Sequence, residues 1–184
     1  EYEISIVRKN GEVRHLQVFR KEILWNGERQ FQTIYQDITD RKRAREALRE
    51  SEERVTKAFR SIPDALVISC LEDGKIVEVN DSWHNVFGYS REEVIGKSSL
   101  ALDLYADPAD RQRATGFLHK QGFVRDFELQ IRQKSGALRT AILSIELQET
   151  QGKQYLLSVV QDITERKQAE EALRMSEERF RRLS

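Results

Sequence analysis

Few side chains in this sequence could carry chemistry. There are three histidines, His15, His84 and His119, and one cysteine, Cys70. A metal site needs His, Cys or carboxylate ligands at characteristic spacings, and these positions form no such pattern. A single thiol also rules out an internal disulfide and a Cys-rich zinc site. Cys70 falls in a strand-like run, where a free Cys acts as a small buried hydrophobe. His119 lies three residues before Gly122, near the C-terminal end of a helical segment, a place that the helix dipole favours for histidine. No nucleophile–base pairing stands out, so catalysis is the least expected class. A second group of residues has a mechanical chemistry. Asp37, Thr39 and Arg41, and again Asp162, Thr164 and Arg166, mark two points where a strand gives way to a helix. There a Thr hydroxyl can act as an N-cap acceptor, and Asp162 can pair with Arg166 or Lys167.

These two groups belong to a repeat. Residues 1–54 and 126–179 align without a gap at an offset of 125, with 21 identities in 54 positions. Gln-Asp-Ile-Thr recurs at 36–39 and 161–164, and Ser-Glu-Glu-Arg at 51–54 and 176–179. A period this long means tandem domains rather than a solenoid, whose repeats run about 20–50 residues. Each copy opens with alternating strands, as in Phe127, Leu129 and Ile131, then Ala141, Leu143, Ile145 and Leu147. Asn10-Gly11, Asn26-Gly27, Ser135-Gly136 and Gln151-Gly152 read as hairpin turns. Three antiparallel strands and then a helix are expected in each copy. In the helices, Ala44, Leu48, Ser51, Val55, Ala58 and Ile62 follow heptad spacing, as do Ala169, Leu173, Ser176, Phe180 and Leu183. Glu50–Arg54, Glu177–Arg181 and Glu178–Arg182 would form i,i+4 pairs beside the seam. Leu48, Val55, Leu173 and Phe180 are the candidate dimer seam. Its Ala and Ser positions make any coiled coil weak, and the competing reading is a helix that packs only on its own domain.

Between the copies lies a complete unit. Ala65–Leu71 and Lys75–Val79 read as strands around an Asp73-Gly74 turn. Asn80 or Asp81 can cap a short helix carrying Trp83, Val86 and Phe87 on one side. Ser90 and Glu93 form a capping box. Asp107-Pro108 opens a longer helix that ends near Gly122 and buries Ala114, Phe117 and Leu118. The expected fold is α+β: a five-stranded antiparallel sheet with helices on one face.

Composition narrows the function. Lys plus Arg and Asp plus Glu each total 31, so no basic surplus exists to attract nucleic acid or an anionic membrane. Charged residues make up 34% of the chain, and the excess belongs to the linker helices. No apolar run reaches the roughly 18 residues of a membrane span, and no secretory leader opens the chain. Glu1 is not a natural start, so a piece of a longer, cytoplasmic protein is expected.

The order of elements resembles the PAS family of sensor and signalling modules. The residues that carry the resemblance are Ile76-Val77-Glu78-Val79-Asn80-Asp81, Phe87-Gly88-Tyr89-Ser90, Glu93-Val94-Ile95-Gly96 and Asp162-Ile163-Thr164-Glu165-Arg166-Lys167. It divides the chain into four parts. Residues 1–39 look like the C-terminal three strands of an upstream PAS unit, and 40–60 like a helical linker able to form a coiled coil. Residues 61–165 look like a complete PAS domain, and 166–184 like a second such linker. The resemblance implies a non-catalytic sensor and relay segment of a bacterial signalling protein, such as a sensor histidine kinase or diguanylate cyclase. It implies a homodimer through the linker helices and an output domain downstream, with Asp37, Thr39, Arg41, Asp162, Thr164 and Arg166 coupling sheet to helix.

The same resemblance raises haem and flavin as alternatives. Haem-binding members hold the iron through a His on the long helix, which makes His119 the one candidate, although Arg111 and Arg113 occupy the expected stretch. Flavin-bonding members carry Cys in an Asn-Cys-Arg motif on a helix, unlike Cys70. No tightly held cofactor is expected, and a small molecule in the pocket is left open. A pure protein-interaction module is the third reading. Residues 1–39 alone would expose an apolar face, which either the missing half of their unit or another copy would cover.

Overall fold

Strand formation in the first copy follows its turn residues. Asn26 and Gly27 both hold positive φ, at 50° and 82°, the tight hairpin geometry that Asn-Gly accommodates best. The turn joins β2 (Val13–Trp25) to β3 (Glu28–Asp37), and β1 (Tyr2–Val7) pairs with the other edge of β2 in an antiparallel sheet ordered β1-β2-β3. Helix α1 (Thr39–Ser61) follows β3 after a single residue, Ile38. The computed structural model describes the backbone of residues 1–183, and every side chain among them except those of Phe180, Arg182 and Leu183. Its contacts divide the chain into two compact units, Glu1–Thr56 and Lys57–Ser184.

The second unit contains the five-stranded antiparallel sheet, ordered β5-β4-β8-β7-β6. Its strands are β4 (Ala65–Cys70), β5 (Ile76–Val79), β6 (Phe123–Arg132), β7 (Leu138–Thr150) and β8 (Lys153–Asp162). Between β5 and β6 run α2 (Ser82–Phe87), α3 (Arg91–Val94) and α4 (Pro108–Gln121), and α5 (Thr164–Leu183) closes the chain. The α+β fold therefore matches the expectation from sequence.

The helix signals act locally. Asp107 accepts from Ala109 N–H at 2.8 Å at the head of α4, and Gly122 ends that helix at φ 81°. Glu93 reaches back to Ser90 N–H at 2.9 Å. On α2, Trp83 and Phe87 stack at 4.2 Å between ring centroids and lie in one core with Val79, Val94, Val124, Leu129 and Leu143. Phe117 differs from expectation: it stays largely exposed, edge-on to Phe127 at 6.1 Å, because Ala114 and Leu118 turn inward instead.

Asn80 corrects another expectation. Its side chain caps no helix. Oδ1 accepts from Leu66 N–H at 2.9 Å, and Nδ2 donates to Ile62 O at 3.1 Å and Asp64 O at 2.9 Å. It closes the entry to β4, satisfying the buried Leu66 N–H and the Asp64 carbonyl, and shares the Ile62 carbonyl with the Ser82 hydroxyl at 2.6 Å.

Of the three expected charge pairs on the linker helices, Glu50–Arg54 and Glu177–Arg181 do not form among the described side chains, and Glu178–Arg182 ends on a side chain outside them. Arg49 lies between Glu46 and Glu53, both at 2.5 Å, in place of a Glu50–Arg54 pair. On α5, Arg174 pairs with Glu178 at 3.9 Å. Leu48, Val55 and Leu173 are all more than half exposed, whereas Phe180 lies outside the described side chains.

Candidate functional site

Two features of the second unit could do work: a cavity inside it and the junction where its sheet becomes α5. The cavity measures about 130 Å³ and lies between the sheet and α2 and α4. Leu129, Ile131, Leu143 and Val160 supply apolar wall from three strands, and Trp83 and Ala114 supply it from the helices. Polar groups are sparse: Ser69 and Ser158 on strands, Ser99 and Tyr105 before α4, and Arg111 and Thr115 on α4. Burial pushes the Tyr105 phenol above its ordinary value. Among the described residues, Arg111 is the one charged side chain on the wall.

The haem and flavin candidates do not meet this cavity. His119 is exposed and stands off the wall, because the inward positions on α4 are Arg111, Ala114, Thr115 and Leu118. Cys70 is half-buried at the end of β4, where alternation puts Ser69 on the wall instead. The volume also falls well short of the roughly 300 Å³ at which pockets begin to enclose drug-sized ligands. His15 contacts Ser5 Oγ at 2.9 Å, and His84 is exposed beside Tyr89 O at 3.4 Å. Among the described residues no three His, Cys, Asp or Glu side chains converge as a metal site would require.

At the junction, Thr164 Oγ1 accepts from Thr140 N–H of β7 at 2.9 Å. Asp162 Oδ1 accepts from Thr164 N–H at 2.9 Å, and Ile163 N–H donates to Thr140 O at 2.9 Å. Lys167 of α5 reaches Glu128 of β6 at 2.9 Å. The first turn of α5 is thus fastened to β6, β7 and β8 together.

The first unit repeats this arrangement. Thr39 Oγ1 accepts from His15 N–H at 2.8 Å, Asp37 Oδ1 from Thr39 N–H at 3.0 Å, and Ile38 N–H donates to His15 O at 2.9 Å. Lys42 reaches Glu3 at 2.5 Å. The Thr39 hydroxyl, and after it the Thr39 N–H, holds the Asp37 carboxyl below its usual value.

Two sequence expectations are corrected here. The threonine does not act as a helix N-cap acceptor. It is the first helical residue, so its hydroxyl faces the neighbouring strand and bonds there, while the aspartate two residues earlier satisfies the helix N–H. The aspartate also does not pair with Arg166 or Lys167. Asp162 lies 3.8 Å from Arg139 of β7 and Asp37 lies 3.4 Å from Arg14 of β2. Strand register brings those partners close, whereas Arg166 turns along its helix to Glu170 at 3.8 Å and Arg41 to Gln17 at 3.5 Å. Arg14, Arg139, Glu3 and Glu128 were missing from the expected set. Their signal was present in the repeat, since Glu3 and Glu128, like Arg14 and Arg139, occupy equivalent identical positions.

Comparison with known proteins agrees with the geometry. The chain is 29% identical over 168 residues to sporulation kinase E of Bacillus subtilis, covering 91% of this chain and 22% of that protein. It is 30% identical over 143 residues to the methyl sulfide methyltransferase-associated sensor of Methanosarcina acetivorans, covering 76% and 14%. The chain thus spans less than a quarter of either relative's length. Among solved structures, the PAS domain of an HTR-like protein from Haloarcula marismortui is 28% identical with a TM-score of 0.54, covering 66% of this chain and 99% of that one. A PAS domain from a two-component sensor histidine kinase shares the fold at a TM-score of 0.54 and 17% identity, covering 62% and 97%. The PAS domain family model matches residues 63–165. The chain belongs to the PAS domain family and is a signalling sensor module homologous to segments of sensor kinases.

Proposed function

We propose that this module is a non-catalytic sensor and relay segment of a larger cytoplasmic signalling protein, the cavity being its input and α1 and α5 its outputs. The carrying observation is the junction, built bond for bond alike at Thr39 and Thr164. A Thr hydroxyl, an Asp carboxylate and a Lys–Glu pair tie the first helical turn to strands that, in the second unit, also wall the cavity within a few residues of those ties. A displacement of β7 or β8 therefore changes the direction of α5. Such a shift acts as a two-state device when the helix ends in a weak seam that tolerates more than one register.

The helices serve a homodimer in this reading. Leu48 and Val55 are exposed at heptad spacing on α1, and Leu173 is exposed on α5 with Phe180 seven residues further along the sequence. Residues 1–39 act as the last three strands of an upstream PAS unit. Tyr35 is 61% exposed where its repeat mate Val160 is 5% exposed, as expected of a sheet whose covering helices precede it. An output domain follows, a histidine kinase or diguanylate cyclase, and neither nucleic acid nor membrane contacts this segment. No described helix is long and apolar enough to cross a membrane.

The test is output activity of the intact parent protein with Asp162→Ala or Thr164→Val, against a core variant of equal stability. Locked or constitutive output in the junction variants alone supports the relay. Unchanged regulation at matched stability would overturn it.

A further inference from the structure

Resting on the reading of the cavity as the input site, the structure assigns it a ligand class: a small organic monocarboxylate with an apolar body. The size comes from the volume. A cavity of about 130 Å³ is close to the roughly 150 Å³ engineered void that holds benzene. The ligand is therefore about as large as a substituted six-membered ring or a branched short-chain acid. Its body is set by Leu129, Ile131, Leu143 and Val160, which offer dispersion contact and no hydrogen bonds.

The head group follows from Arg111. Among the described residues no carboxylate lines the cavity with it, and its side chain makes neither an ion pair nor a hydrogen bond. Its neighbour two positions on, Arg113, is by contrast paired with Asp110. A half-buried arginine beside an apolar void has a rigid fork of N–H donors that matches a carboxylate. Tyr105 and Ser158 border the same space, and their hydroxyls have no side-chain partner among the described residues. They can donate to further acceptor sites on the same head group. A cation would meet Arg111 unfavourably, and a neutral apolar molecule would leave the guanidinium unused.

Calorimetric titration of the purified chain tests this with benzoate and 3-methylbutanoate against their isosteric amides. Saturable binding of an acid, about tenfold or more tighter than its amide, is the expected result. Arg111→Gln should remove that difference and leave thermal unfolding unchanged, whereas Arg111→Lys should keep part of it. Ala114→Leu, which fills the wall from α4, should abolish binding. Equal affinity for acid and amide, or no binding of either acid at about 10 mM, would overturn the assignment. Amide exchange of α5 separates this failure from failure of the relay. Acid binding that leaves α5 unchanged supports the ligand class and contradicts the relay. Absent binding, with α5 still responding to Ala114→Leu, contradicts the ligand class alone.

Discussion

Thr164 Oγ1 and Thr140 N–H meet at 2.9 Å, and this bond is what makes the first turn of α5 part of the sheet. Thr164→Val keeps the shape and removes the acceptor, leaving a half-buried strand amide unpaired. The cost is about 1–3 kcal/mol. Denaturant unfolding of the chain should show that loss for Thr164→Val, and Thr164→Ser should recover most of it.

Asp37 gives a pH-dependent prediction. Its native carboxyl is held below the ordinary value, first by the Thr39 hydroxyl and then by its N–H. The stabilisation from this depression is complete above the unfolded value of about 3.9 and is lost as pH falls through the lower native value. A carbon-detected NMR titration should therefore find Asp37 ionised below pH 3.9, and Thr39→Val should move its midpoint upward. An Asp37 midpoint indifferent to Thr39→Val would break the link.

Asn80 closes β4 with three hydrogen bonds. At about 0.5–1.5 kcal/mol each, Asn80→Ala should cost roughly 2–4 kcal/mol. Asn80→Asp should be at least as harmful, because a carboxylate would face the Ile62 and Asp64 carbonyls. Thermal melts of the two variants decide the matter, and a melt within one or two degrees of wild type would refute the clasp.

Local chemistry was the legible part of this molecule. Asn26-Gly27 and Gln151-Gly152 name their own turns, because only a few residue types accept successive positive φ. Asp107-Pro108 likewise names a helix start. Pairings across the sheet were harder to read. Arg139 meets Asp162 because β7 and β8 place Ala141 opposite Asp162, and that register lies outside any local window. Asn80 has the composition of a cap and the position of a clasp, and only tertiary contacts separate the two. The cavity was illegible in principle, since the same apolar alternation describes a wall and a filled core. Arg111 was visible only as the residue standing where a haem ligand would be.

The linker seam predicts concentration-dependent association. Leu48, Val55 and Leu173 are exposed with Ala and Ser between them, so the dimer should be weak. Sedimentation equilibrium should find monomer and dimer in exchange, shifted to monomer by Leu173→Lys. A chain that stays monomeric at high concentration would remove the seam from the account.

Coupling between cavity and helix is the central claim, and hydrogen exchange of the α5 amides measures it most directly. Four proteins are compared: wild type, Ala114→Leu, Thr164→Val and the double variant. The relay predicts that filling the cavity with Ala114→Leu changes protection in the first two turns of α5, and that this response disappears when Thr164→Val is also present. An α5 whose protection ignores Ala114→Leu, or responds equally with and without Thr164, would contradict it.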